Sequence, residues 1–162
     1  MGEARITRQS EGICEGTAYS WHPAHDGGAD AGVIVLIHGL GLTRATWVGQ
    51  IEELSKHHDV LTYDLAGHGE SDMPSGSPDL TMYSTQLFHL LDMLSIGACH
   101  LVGFSLGGMI NRRFAINHPE RVLSLVILNS PHERSREAQA LVEKRAADTE
   151  GGGPGATIDE TL

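Results

Sequence analysis

The chain has 162 residues, of which 40% are hydrophobic and 20% are charged, and its formal net charge is −10. This length and composition predict one soluble globular domain with a core of its own. The acidic balance argues against binding to nucleic acid or to an anionic membrane surface, because both require cationic patches.

Strands and helices are predicted to alternate along the chain. Residues Val33–Ile37 are apolar on both faces, which is typical of a strand covered on both sides in a parallel sheet. The predicted strands are 13–21, with 6–8 pairing against it, Val33–Ile37, Asp59–Tyr63, Cys99–Phe104 and Val122–Leu128. The predicted helices are 46–57, 83–94, Leu106–Asn117 and 133–147, followed by a flexible break at 151–155. This alternation predicts an α/β fold with a mostly parallel sheet and helices on both faces.

The segment 103–108 reads GFSLGG and places Ser105 between a predicted strand and a predicted helix. The pattern G-x-S-x-G is typical of a nucleophile elbow, whose strained turn lifts the serine Oγ above the sheet. Gly103 and Gly107 are needed there because a Cβ at either position would collide across the turn. The backbone N–H of Leu106, at the start of the helix, can stabilise an oxyanion. The pentapeptide alone also allows a glycine-rich helix start that a serine caps.

Two further stretches follow predicted strands at the same edge of the sheet, where the ligands of parallel sheets bind. His38 and Gly39 come directly after the strand Val33–Ile37, and the N–H of Leu40 is the candidate second oxyanion donor. The sequence YDLAGHGESD, residues 63–72, ends the next strand and continues into a loop.

The three motifs occur in the order HG-x, D-x-x-G-x-G-x-S and G-x-S-x-G. In this order and at this spacing, the chain resembles the α/β-hydrolase superfamily from about residue 12 to residue 132. The resemblance implies that Ser105 is the nucleophile and that Leu40 and Leu106 form the oxyanion hole through their backbone N–H groups. It places His38 in a local hydrogen-bond network beside Gly39 in the site lining. The loop that shapes the fold near the site is matched by Asp64, Gly67, Gly69 and Ser71.

The same resemblance divides the chain and suggests a chemistry. Residues 1–132 match the N-terminal part of the hydrolase core, and residues 133–162 are predicted to begin a helical cap. A serine at the elbow forms an acyl-enzyme, so the expected substrate is a small molecule with an ester, lactone, thioester, amide or activated C–C bond. The sequence most resembles bacterial esterases, enol-lactonases and C–C hydrolases. No cofactor and no metal is expected, and the predicted location is the cytoplasm.

The family order places an acid and then a histidine on later strands, after the nucleophile. No strand-like run follows Val122–Leu128, and Asn129 and Ser130 occupy the alternative position of the acid. His132 is the one histidine beyond Leu128; it is predicted to line the site mouth, with a solvated surface position as the alternative.

Three hypotheses follow from this missing half of the triad. The chain is the N-terminal part of a complete serine hydrolase, a short non-catalytic binding or interaction protein, or an enzyme completed by another chain or by an unusual local base. Alone, the 162 residues are expected to be inactive. Because Val122–Leu128 is apolar on both faces and lacks a later strand, self-association through an exposed sheet edge is also expected.

Overall fold

The computed structural model describes residues 10–25, 32–133 and 135–152. The chain divides into two units, Met1–Ser130 and Pro131–Leu162. The strands of the described residues are β1 (Glu11–Cys14), β2 (Thr17–His22), β3 (Val33–Ile37), β4 (Asp59–Tyr63), β5 (Cys99–Phe104) and β6 (Val122–Leu128). Their helices are α1 (Val48–Leu54), α2 (Leu80–Met93), α3 (Leu106–Asn117) and, in the second unit, α4 (Arg136–Gly152).

The six strands form one sheet in the order β1-β2-β4-β3-β5-β6. The strands β4, β3, β5 and β6 are parallel, whereas β1 and β2 form an antiparallel hairpin whose second strand pairs with β4. Ile37 at the end of β3 is in register with both Tyr63 and Gly103. The residues that follow these three strands therefore meet at one edge of the sheet, as the sequence predicted.

Helices cover both faces of the sheet, and each face has its own apolar cluster. On one face, side chains of alternate strand positions such as Val35 and Leu101 pack with Leu87 of α2 and Phe114 of α3. On the other face, Ile34, Leu36 and Val60 pack with Trp47 and with the partly buried residues of α1. This division follows from the alternation of side chains along a strand.

The bounds of β3, β4, β5, α3 and β6 are those predicted from the sequence. The single strand predicted at 13–21 is wrong, because a turn at Glu15 and Gly16, with φ of 45° and 75°, folds it into the β1–β2 hairpin. Residues 6–8, predicted to pair with it, lie outside the described residues.

Three predicted helices have other bounds in the structure. Helix α2 spans Leu80–Met93 and not 83–94. Residues Arg44–Trp47 form a 3-10 turn before α1, which ends at Leu54, so the helix predicted at 46–57 is shorter. Helix α4 begins at Arg136, three residues later than predicted, and includes the first two glycines of the expected break at 151–155. The rest of that break lies outside the described residues, and the assignment of residues 133–162 to a cap stays a prediction.

No helix in the described ranges combines the length and the apolar character needed to cross a bilayer. The cytoplasmic location stays a prediction.

Candidate active site

Ser105 lies in the turn between β5 and α3 and has a strained backbone. Its φ is +53° and its ψ is −112°, in the positive region that non-glycine residues rarely adopt. Its N–H donates to the carbonyl of Leu128 at 2.9 Å, and its carbonyl accepts the N–H of Gly108 at 3.0 Å. Its side chain does not cap α3, and within the described residues Oγ makes no hydrogen bond. The strained turn predicted for G-x-S-x-G is therefore present, with Oγ free.

Two glycines allow this turn because backbone atoms approach them closely. A Cβ on Gly103 would overlap the carbonyl of Gly107 across the turn. A Cβ on Gly107 would overlap the carbonyl of Ile37 and would lie 2.8 Å from the carbonyl oxygen of His38. The collision expected at Gly103 is thus the one predicted, whereas Gly107 is required by the end of β3 instead.

The loop after β3 runs beside the serine and carries Leu40. Gly39 is buried, and a Cβ built on it would lie 3.3 Å from the Cβ of Ser105. Leu40 is 74% exposed, so its apolar side chain lies in solvent. Within the described residues, neither the N–H of Leu40 nor that of Leu106 donates a hydrogen bond. Both N–H groups are therefore unpaired, and the N–H of Leu106 is at the positive end of α3.

The ring of His38 is completely buried, and both of its nitrogens bind backbone atoms. Nε2 accepts the N–H of Leu65 at 3.0 Å, which leaves Nδ1 as the nitrogen that donates to the carbonyl of Gly39 at 2.8 Å. Burial lowers the pKa of His38, although the hydrogen bond to Gly39 opposes this shift. The neutral ring joins the loop after β3 to the loop after β4 and has no nitrogen left to take a proton from Ser105.

Asp64 joins the same two loops at a second point. Its carboxylate accepts the N–H of Arg44 at 2.7 Å and the N–H of Glu70 at 3.0 Å, and it forms an ion pair with the Arg44 guanidinium. The Asp64 carbonyl accepts Ser71 Oγ at 2.6 Å and Gln86 Nε2 at 3.2 Å. Asp64 is 1% exposed, so these bonds replace the water that the carboxylate loses on burial.

Sequence reasoning missed Arg44 and Gln86 as members of this arrangement. Each is at least 20 residues from Asp64 along the chain, and no motif marked either of them. One sequence signal was available for Arg44. The arginine follows the histidine–glycine pair, and an aspartate ends the next strand, so their opposite charges could have suggested an ion pair.

Asn129 and Ser130, at the alternative position of the acid, have no ionisable side chain. Asn129 is exposed and has a φ of +45°, and Ser130 Oγ accepts a hydrogen bond from Arg112 at 3.1 Å. His132 belongs to the second unit, and its place in the site lining stays a prediction. Among the described residues of the first unit, no histidine hydrogen-bonds to Ser105.

Two surface cavities of about 510 and 400 Å³ lie away from the elbow. The larger is between the β1–β2 turn, the loop around Asp72 and α2, and the smaller surrounds Arg44. Neither is lined by Ser105, Leu40 or Leu106. The elbow is the candidate site, because it combines a strained serine with the unpaired N–H groups of Leu40 and Leu106.

The two cysteines are free thiols. Cys99 is buried and Cys14 is partly buried. Burial raises the pKa of Cys99 to about 12 and also raises the pKa of Cys14. Both thiols are therefore protonated and unreactive at neutral pH.

A family model for the alpha/beta hydrolase fold matches residues 32–159. The chain belongs to this family. It is 32% identical over 113 residues to the (E)-2-((N-methylformamido)methylene)succinate hydrolase of Acinetobacter baylyi. The matched segment covers 70% of this chain and 43% of that protein. It is 36% identical over 121 residues to the putative carbamate hydrolase RutD of Pseudomonas savastanoi pv. phaseolicola. That match covers 72% of this chain and 46% of that protein.

Solved structures give the same result for the fold. The enol-lactonase of Burkholderia xenovorans superposes with a TM-score of 0.78 and 30% identity, covering 94% of this chain and 58% of the lactonase. An esterase of Thermogutta terrifontis superposes with a TM-score of 0.76 and 27% identity, covering 89% of this chain and 52% of the esterase. The chain thus spans about half the length of the relatives that it matches.

Proposed function

We propose that Ser105 is the nucleophile of a hydrolase that cleaves an ester, lactone or related acyl bond through an acyl-enzyme. The observation that carries this proposal is the backbone of Ser105, held at a φ of +53° with Oγ free of hydrogen bonds in the described residues. Such a conformation costs about 1–3 kcal/mol for a residue with a side chain. A serine that merely capped a helix would donate or accept at the helix start, and Ser105 does neither through its side chain.

The chemistry follows from the groups around Oγ. Oγ attacks the carbonyl carbon of the substrate, and the carbonyl oxygen becomes an oxyanion that accepts the N–H groups of Leu40 and Leu106. The carbonyl reforms as the leaving oxygen or nitrogen departs with a proton, which leaves the acyl group on Oγ. Water then attacks the acyl carbon and releases the acid and the free serine.

The proton of Ser105 has to pass to a base as the new bond forms. His38 does not serve, since its two nitrogens are occupied by Leu65 and Gly39 and burial lowers its pKa. We infer that the base, and the acid that orients it, come from residues outside the described ones or from another chain. The greater length of the matched relatives supports this inference.

The relatives support the class of substrate. Their names give an N-methylformamido-methylene succinate, a carbamate and an enol-lactone, and each of these groups has a carbonyl carbon bonded to nitrogen or oxygen. We propose a small molecule with such a bond as the substrate. The elbow serine is compatible with the same class, because an acyl-enzyme forms from such a carbonyl group.

A non-catalytic binding or interaction protein is the second candidate. The exposed strand β6, whose large apolar side chains are 38–55% exposed, is the observation that favours it. The two candidates differ in whether Oγ of Ser105 reacts.

Labelling with a fluorophosphonate probe tests the nucleophile directly. A protein that carries this sequence together with its acid and base should be labelled, and Ser105→Ala should abolish the label. The matched control is Ser75→Ala, because Ser75 is an exposed serine in a loop and not in an elbow. Labelling that survives Ser105→Ala removes Ser105 from the role, and no labelling of the complete protein favours the binding candidate.

A further inference from the structure

The hydrogen bonds of His38 and Asp64 form one continuous series that ends at the N–H of Leu40. The carbonyl of Asp64 and the N–H of Leu65 belong to one peptide group, and that N–H donates to His38 Nε2 at 3.0 Å. The other ring nitrogen, Nδ1, donates to the carbonyl of Gly39 at 2.8 Å. This carbonyl and the N–H of Leu40 belong to one peptide group as well. The series therefore leads from the loop after β4 to the candidate oxyanion donor.

The groups in this series all point in the same direction. A trans peptide group carries its C=O and its N–H on opposite sides, and the described residues contain no cis peptide bond. His38 acts in the same sense, because it accepts at Nε2 and donates at Nδ1. The carbonyl of Gly39 also accepts the N–H of Leu42 at 3.2 Å, so a local turn and the ring hold the same peptide group. The direction of the Leu40 N–H thus depends in part on what binds the carbonyl of Asp64.

Two side chains donate to the carbonyl of Asp64, where the series begins. Ser71 Oγ lies 2.6 Å from this oxygen, and Gln86 Nε2 lies 3.2 Å from it. Ser71 Oγ accepts the N–H of Ala18 at 3.0 Å, so its own proton is left for Asp64. Gln86 Oε1 accepts the N–H of Ala66 at 3.0 Å, which directs the amide nitrogen toward Asp64. Both donors are therefore fixed by a second hydrogen bond.

We propose that Gln86 and Ser71 are positioning residues of the oxyanion hole. They act through Leu65 and His38 on the N–H of Leu40. This inference rests on the proposed function, in which that N–H binds the oxyanion. The bonds in series hold the loop that carries the donor in one position. Each bond also polarises the next, which strengthens a hydrogen bond by about 10–30%.

The middle of the series is shielded from water. His38, Leu65 and Asp64 are all completely or almost completely buried. In such surroundings a hydrogen bond is stronger than in water, and solvent does not compete for the ring nitrogens. A change at the carbonyl of Asp64 is therefore passed on to the ring.

Gln86 also has a structural contact, and the two roles differ in what they predict. Its Nε2 donates to Thr17 Oγ1 at 3.1 Å, which ties α2 to β2. Loss of Gln86 should therefore lower the free energy of unfolding whether or not it acts on the oxyanion hole. Only the positioning role predicts a change in how strongly the elbow stabilises an anion.

The thiol of Ser105→Cys measures this stabilisation in the 162-residue chain. The rate of alkylation by iodoacetamide at position 105, followed by mass spectrometry against pH, gives the thiol pKa, which the elbow should hold below about 8.5. Ser71→Ala together with Gln86→Met removes both donors and should reverse roughly a tenth to a third of this lowering. Ser75→Ala and Thr85→Met, at exposed positions of the loop and of α2, are the matched controls and should leave the pKa unchanged.

The outcomes separate this inference from the proposed function. A lowered thiol pKa that the double variant leaves unchanged overturns the positioning role and leaves the proposed function intact. A pKa at or above about 8.5 before any change at Ser71 or Gln86 contradicts the oxyanion hole itself, and the positioning role fails with it. Circular dichroism confirms that each variant is folded, and Gln86→Met alone replaces the double variant if the latter does not fold.

Nitrogen NMR of His38 supplies a measurement that needs no reactive thiol. In the chain labelled with ¹⁵N, Nδ1 should carry the proton at neutral pH and Nε2 should accept the N–H of Leu65. Loss of the donors at Ser71 and Gln86 weakens this bond, so the Nε2 signal should move toward that of a ring nitrogen without a hydrogen bond. The control variants should leave it in place. An Nε2 signal that is the same with and without the two donors overturns the proposal.

Discussion

His38 Nε2 accepts the backbone N–H of Leu65 at 3.0 Å, and this bond fixes the proton of the ring on Nδ1, toward the carbonyl of Gly39. The ring thereby joins the loop that carries Leu40 to the loop that follows β4. A second proton on the ring would place a donor at Nε2 against the donor of Leu65. The loop beside Ser105 thus depends on a histidine that stays neutral.

This dependence predicts a loss of stability in acid. Burial lowers the pKa of His38 below its ordinary value of about 6.5, so below that pH the unfolded chain binds more protons than the folded chain. The contribution of the neutral His38 ring to the free energy of unfolding is complete above about pH 6.5. It decreases as the pH falls from there toward the pKa of His38 in the folded chain. Its slope is at most about 1.4 kcal/mol per pH unit.

Urea unfolding between pH 5 and 8 measures this slope. His38→Asn should flatten it without abolishing it, because burial also lowers the pKa of His22 and adds a slope of the same sign. His25→Asn, at an exposed position, is the control for the substitution itself. The same slope in His38→Asn and in the parent chain would show that the ring is not the titrating group.

Gly107 should not tolerate a side chain. Gly107→Ala places a Cβ against the backbone carbonyls of Ile37 and His38, which cannot move without shifting β3, so the free energy of unfolding should fall by about 1–3 kcal/mol. Gly49→Ala, in α1, is the matched control, because a Cβ there meets open space and should add about 0.5–1 kcal/mol. Urea unfolding of the two variants should give changes of opposite sign; equal changes would mean that the elbow does not press on β3.

Asp64 should matter far more to stability than an exposed carboxylate. Asp64→Asn removes the charge that accepts two backbone N–H groups and pairs with Arg44, so about 3 kcal/mol or more should be lost. Asp92→Asn breaks the pair with Arg121 at a 52% exposed side chain and should cost within about 1 kcal/mol. Thermal or urea unfolding checks both values, and a small loss at Asp64 would mean that water replaces its bonds.

The bounds of strands and helices were predicted best where a continuous segment is apolar. Val33–Ile37 and Val122–Leu128 are apolar on both faces, and their bounds were predicted correctly. The hairpin was missed because residues 11–22 are all compatible with one strand, and the turn depends on a positive φ at Glu15, a residue that rarely adopts one. A Glu–Gly pair within a strand pattern is a weak turn signal.

The parts of the candidate site that were predicted from the sequence are those that lie within one short motif. The elbow glycines and the strain at Ser105 follow from five consecutive residues, and the structure has both. The partner of His38 was not predictable, because Leu65 is 27 residues away and donates through a backbone N–H that any residue has. Arg44 is 20 residues from Asp64 and binds it through its backbone N–H as well as through an ion pair, so only the opposite charges mark this contact in the sequence.

The anion-stabilising power of the elbow can be measured without a catalytic base. In Ser105→Cys, the N-terminus of α3 and the free N–H groups of Leu40 and Leu106 should stabilise a thiolate and lower its pKa below the usual value of about 8.5. The rate of alkylation by iodoacetamide against pH reports this pKa. Cys99, with a pKa of about 12, and Cys14 are internal controls that should react slowly. A pKa at or above 8.5 would mean that the elbow does not favour an anion.

We propose that Ser105 is a nucleophile with an oxyanion hole and that its base lies outside the described residues. Turnover of p-nitrophenyl acetate tests it most directly, with the 162-residue chain, its Ser105→Ala variant and a longer protein that supplies the acid and base. A positioned base contributes about 10²–10⁴-fold, so the short chain should hydrolyse the ester barely above buffer, with no effect of Ser105→Ala, whereas the longer protein should be active and lose activity on the same change. Many turnovers by the short chain that disappear with Ser105→Ala would contradict the claim, because a base would then lie within these residues.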